Sequence, residues 1–275
     1  MAHSNPVFDR NPAFTAGGRA GYPTGYQAGP PLMTSDQLRR LYEEPSATAV
    51  QTGRMTLDDV IVKCAITFGT LIVVAGASYF LFPPSLSAVG MLAGLIVGLA
   101  LGLVISFKQS TNPALILSYA VAEGLLLGGI SRIYGNAFGD SIVSQAILGT
   151  LAATAGMLVA FSTGKLRATP KFTKMLMTAA FGYLAVALIS LVTSFFGVGG
   201  GFGFYGVGPL GILLCVAGVA LASFFLILDF DFVQRGIENG APARYSWLAA
   251  AGLMMTLVWL YLEILRLLAI LRGDE

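Results

Sequence analysis

Four of the 14 acidic residues, Glu123, Asp229, Asp231 and Glu263, lie inside continuous apolar sequence. The others fall in the N-terminal region, at segment ends, in connections or at the C-terminus. A carboxylate in hydrocarbon costs on the order of several kcal/mol unless it is paired, hydrated or protonated. Two of them brought together away from water cannot both ionise readily, so they share a proton and titrate as a unit. Losing that proton makes the carriers repel, which is a pH switch built without histidine. Carboxylates lining a wet cavity also suit a hard cation such as Ca²⁺, which takes oxygen ligands.

Each acid also has a plainer reading. Glu123 sits ten residues after Pro113, about 15 Å along a helix, and can be a structural hydrogen-bond partner near mid-membrane or line a pathway. Asp229 and Asp231 are two residues apart, so on a helix they point about 160° apart. One of them can face the interior while the other caps, snorkels or meets headgroups. Glu263 and Arg266 are three residues apart on roughly one face and can form an ion pair.

Other chemistries are poorly supplied. The single histidine, His3, lies near the N-terminus, away from any apolar segment, which argues against histidine-based metal sites and Ser–His or Cys–His nucleophiles. Cys64 and Cys215 fall in apolar runs and read as small buried hydrophobes. Gly201, Gly203 and Gly206 match G-x-G-x-x-G, but a dinucleotide site needs a strand–turn–helix context that is missing here. An intramembrane aspartyl protease would want Gly-x-Gly-Asp in a helix, and Gly139–Asp140 lacks it. No enzyme activity and no cofactor are expected. The small net charge of +2 carries no basic block suited to nucleic acid.

The elements that hold the acids follow from composition. The chain is 56% hydrophobic and 11% charged, with a mean hydropathy of +0.77. Soluble domains carry about 25% charge, so the solvent over most of this chain is lipid. Residues 1–56 are rich in Pro and Gly and lack apolar periodicity, predicting a disordered tail; Ser35–Glu44 reads as linker rather than as a short surface helix. No cleavable signal peptide is expected, since the first apolar run begins near Val60.

Seven apolar segments follow, at about 60–82, 86–107, 113–134, 141–163, 173–196, 208–232 and 246–271, each close to the roughly 20 residues that cross a bilayer. Unbroken apolar character predicts helices rather than a barrel. The expected fold is therefore an all-α membrane protein with seven transmembrane helices over residues 57–275. Gly90, Gly94, Gly98 and Gly102 recur every four residues in the second segment, a face that admits close approach of a neighbouring helix. Arg39, Arg40, Arg54, Lys108, Lys165, Arg167, Lys171, Lys174, Arg235 and Arg244 fall on one side of the membrane. Only Arg132, Arg266 and Arg272 fall on the other, so the N-terminus is predicted cytoplasmic.

Three stretches carry a family resemblance: YAVAEGLLLGGIS (119–131), FLILDFDFVQRG (225–236) and VWLYLEILRLLAIL (258–271). With the opening SNPVFDRNPAF, and over about residues 50–275, the chain resembles the bacterial branch of the transmembrane Bax inhibitor motif family, in its actinobacterial members. The resemblance implies a seven-helix fold with the C-terminal helix central. It implies a pH-sensitive cation pathway with calcium leak activity in the cell (plasma) membrane. It also implies a pH sensor made of one acid at the end of helix six and one in helix seven. Phe230–Asp231 with Gln234 fits the helix-six pattern, with Asp229 the alternative. Leu260-Tyr261-Leu262-Glu263 fits helix seven, with Glu in place of Asp. Asp231 and Glu263 are then the expected gate and the transient calcium ligands, with Glu123 and Arg266 along the pathway. Their pairing requires residues 244 to about 252 to lie outside the hydrocarbon, because Glu263 is about 28 Å along a helix that begins at Arg244. The expected partners are the bilayer, calcium ions and protons. A regulatory or scaffolding role, binding other membrane proteins, is the competing expectation.

Overall fold

The computed structural model describes residue 34 and residues 53–164, 167–197, 203–206 and 208–273. The tail expected over residues 1–56, with its Ser35–Glu44 stretch, falls outside the described residues except for Thr34 and 53–56.

Seven helices long and apolar enough to cross a membrane are present among the described residues. They are α1 (Leu57–Phe80), α2 (Pro84–Lys108), α3 (Pro113–Phe138), α4 (Ser141–Ser162), α5 (Pro170–Phe195), α6 (Pro209–Glu238) and α7 (Tyr245–Gly273), with a 3-10 turn, Gly203–Tyr205, between α5 and α6. Four of them, α2, α3, α5 and α6, begin with proline. Proline's missing N–H is an orphan at that position anyway, and its fixed φ is already helical. Side chains cap three starts: Thr56 accepts from the Asp59 N–H at 3.1 Å, Asn112 from Ala114 at 3.0 Å and Thr169 from Phe172 at 3.2 Å. The α6 helix runs six residues past the apolar segment that ended at 232. Ion pairing of Asp231 with Arg235 and the Gln234–Glu238 hydrogen bond, both four residues apart, support those last turns.

The apolar exterior fits lipid as its solvent: Phe107 and Phe195 are 85% and 82% exposed. The interior is built on α3 and α7, the two most buried helices. Glycine lets α3 be approached from both sides. A Cβ on Gly94 of α2 would lie 2.5 Å from the Ala122 carbonyl oxygen, so the expected glycine row does seat α2 against α3. On the opposite side, a Cβ on Gly128 would lie 2.5 Å from the Ala75 oxygen of α1. The last helix is central, as expected: α7 packs directly on α1, α3, α4 and α6, while α2 and α5 form an outer layer and reach it through side chains.

Both ends of the bundle are tied. At one end the chain before α1 pairs with the α6–α7 connection, through Met55 N–H to the Ala241 oxygen at 2.7 Å and Ala243 N–H to the Gly53 oxygen at 2.8 Å. Met55 is buried against Val233 and Ala249. At the other end Arg272 donates to the Phe138 oxygen at 2.7 Å and to Ser141 and Gln145, each at 3.0 Å. Arg132 donates to the Phe82 oxygen. These two arginines close helix ends.

Candidate functional site

Glu263 is buried on α7. Its Oε1 accepts from the Tyr183 hydroxyl of α5 at 2.7 Å and from the Trp259 indole N–H, one turn earlier on α7, at 3.1 Å. The carboxyl group lies flat against Gly218 of α6, where a Cβ would come within 2.6 Å of its Cδ. Its Oε2 is buried without a hydrogen-bond partner among the described residues.

Arg266 does not pair with Glu263. The guanidinium carbon sits 4.5 Å over the Tyr205 ring instead. The aromatic face is a stabilising surface for the cation there.

Of the two aspartates, Asp229 is the one turned toward α7. Its Oδ1 lies 3.6 Å from where a Cβ on Gly252 would be, and Thr256 is beside it. Its Oδ2 is buried and unpartnered among the described residues. Asp231 points elsewhere, forming a 2.7 Å ion pair with Arg235, whose guanidinium also donates to the Ala168 oxygen at 3.1 Å. The divergence of residues two apart on a helix accounts for this.

The expected contact between Asp231 and Glu263 is therefore not made. Helix α7 begins at Tyr245, so Glu263 lies about 27 Å from its start. Asp229 does not touch Glu263 either. It is eleven residues beyond Gly218 on α6, which separates the two carboxylates by about 16 Å along the bundle. No three His, Cys, Asp or Glu side chains come together among the described residues.

What the structure does assemble is a stripe. Gly252, Thr256, Trp259 and Glu263 recur at intervals of four, three and four residues, so they share one face of α7. That face meets Asp229 at one level and Gly218 and Tyr183 at another. A cavity of about 610 Å³ opens beside the Glu263 level, with Tyr183, Tyr205, Trp259 and Arg266 in its wall.

Glu123 stands apart. Its Oε1 lies 3.1 Å from where a Cβ on Gly98 of α2 would be, and its Oε2 is buried without a partner among the described residues. The Ser131–Tyr261 hydroxyl contact of 2.7 Å sets the register of α3 against α7. Glu123, eight residues before Ser131 on α3, faces α2.

Sequence reasoning missed Tyr183, Gly218 and Thr256. Trp259 carried a usable signal, being four residues before an intramembrane acid on the same helix face. Tyr183 carried little, as one hydroxyl in an otherwise apolar helix.

Six spanning helices around a buried seventh, with partly satisfied carboxylates inside, define a polytopic membrane protein whose interior is unusually acidic for its setting. The chain belongs to the Bax inhibitor 1 like family, whose model matches residues 5–273. A search of curated proteins returned no match.

Proposed function

We propose that this protein is a pH-sensitive cation leak pathway for calcium, without enzymatic activity, in the plasma membrane with its N-terminus on the cytoplasmic face. Family membership supports the class, through the leak activity that the resemblance implies. The observation that carries the reading is the pair of buried, unpartnered oxygens, Asp229 Oδ2 and Glu263 Oε2, on residues that meet one stripe of α7. A buried carboxylate with one oxygen unsatisfied is costly, and a proton or a passing cation removes that cost.

In this reading the two acids act in series along the α6–α7 seam. Asp229 serves the end nearer the α6–α7 connection and Glu263 the end nearer the 610 Å³ cavity, with Thr256 and Trp259 between them. Protonation of either carboxyl removes the charge that attracts the ion, which couples flux to pH. Asp231, held by Arg235, tunes the mouth rather than the gate.

Calcium uptake into liposomes holding the purified chain, against protein-free liposomes, tests the class. A calcium-selective leak that rises above the protein-free control supports it. Equal uptake in both preparations, with the protein shown to be folded and inserted, rejects conduction and leaves the regulatory role as the surviving reading.

A further inference from the structure

A cavity of about 830 Å³ is separate from the acidic stripe. It lies between the first turns of α5 and the last turns of α6, at the end of the bundle where Lys108, Arg235 and Arg244 also sit. Lys174 and Arg235 are in its wall, together with Asp231 and the apolar side chains of Met177, Leu228 and Phe232. The order of these residues along their helices makes it amphipathic. Met177 lies one turn deeper than Lys174 on α5, while Phe232 and Leu228 lie one and two turns deeper than Arg235 on α6. A cationic rim thus stands over an apolar floor.

The charges select the occupant. Asp231 neutralises one cation, since it is ion-paired to Arg235. Lys174 is exposed and forms no ion pair among the described residues. The rim therefore keeps about one net positive charge, strengthened by the positive end of the α5 dipole. Helix α5 is also the least buried span and packs mainly on α6 and the 3-10 turn, so the cleft opens sideways to lipid.

We propose that this cavity binds one anionic phospholipid from the adjoining leaflet. Its phosphate lies between Lys174 and Arg235, and an acyl chain runs over Met177, Leu228 and Phe232. Basic pockets between spanning helices are suited to such headgroups. A soluble anion would leave the apolar floor uncovered, and a zwitterionic headgroup would leave the net charge of the rim unanswered. The site stands whether or not the seam conducts ions.

The test uses the full chain, delipidated in neutral detergent, with thermal unfolding followed as dioctanoyl phosphatidylglycerol is added. Saturable stabilisation is expected, about fivefold weaker in apparent affinity for Lys174→Gln, the effect of one lysine near an anionic surface. Lys174→Glu is expected to weaken it further, and Lys108→Gln, a cation at the same end but outside the cavity, to leave it unchanged. Any of three results overturns the proposal. One is equal weakening by Lys108→Gln, which indicates diffuse attraction. Another is equal stabilisation by dioctanoyl phosphatidylcholine. The third is equal stabilisation by chain-free glycerophosphoglycerol or inorganic phosphate, which assigns the site to a soluble anion.

Discussion

Glu263 and Gly218 meet across the α6–α7 seam so closely that the smallest side chain does not fit between them: a Cβ on Gly218 would lie 2.6 Å from Glu263 Cδ and 2.7 Å from Oε2. The buried acid is therefore positioned by an absence on its neighbour as much as by its two donors. Gly218→Ala is expected to push the carboxyl away from Tyr183, whose hydroxyl oxygen is 2.5 Å from the same point. The expected loss is about 1–3 kcal/mol of stability, with altered flux. Denaturation in detergent, alongside liposome uptake, measures both. An alanine variant with unchanged stability and flux would show that the seam opens freely.

Tyr183→Phe removes a donor from Oε1 and leaves Trp259 as the remaining one. Loss of a hydrogen bond to a buried carboxylate costs about 1–3 kcal/mol. The pH response of flux is expected to shift, because the ionised and neutral forms of Glu263 use that hydroxyl differently. A profile superimposable on that of the wild type would mean that Tyr183 only packs.

The two aspartates should behave differently despite their adjacency. Asp231→Asn breaks a partly exposed ion pair, worth about 0.2–1 kcal/mol or less, and is expected to leave the pH profile of flux in place. Asp229→Asn alters an acid facing Gly252 and Thr256 and is expected to change flux strongly. Uptake by the two variants, measured side by side at matched insertion, decides the assignment.

Packing on α3 makes a graded prediction. At Gly94 an added methyl meets backbone at 2.5 and 2.8 Å, whereas at Gly102 it meets the Tyr119 ring at 3.3 Å. Gly94→Ala is expected to lower the unfolding midpoint more than Gly102→Ala. Equal losses would indicate that α2 slides rather than clashes.

The spans were legible because seven runs of about 20 apolar residues leave little choice in lipid. The row from Gly90 to Gly102 announced the α2–α3 contact through its period. Contacts between distant acids were not legible. Periodicity places a residue on a face, but it gives neither the depth at which a neighbouring helix is met nor the side chain waiting there. Glu263 and Asp231 sit in correct helices at incompatible depths, and the acid that faces α7 is the alternative, Asp229. Arg266 illustrates the same limit, since its spacing from Glu263 suited a pair while the Tyr205 ring, from a separate connection, took the cation. The cavity beneath Lys174 and Arg235 was equally hidden, because its lining comes from separate helices and connections that meet only in the fold.

In the proposed pathway the buried carboxyl of Glu263 makes ion flux depend on pH. Calcium uptake across pH for the wild type and Glu263→Gln, reconstituted in equal amounts, tests it most directly. Glutamine keeps the shape of the protonated acid and cannot ionise. The expected result is a flux that varies with pH in the wild type and follows a shifted, shallower profile in the variant, in which Asp229 is the remaining acid of the seam. Parallel profiles in the two proteins would show that Glu263 does not set the pH response.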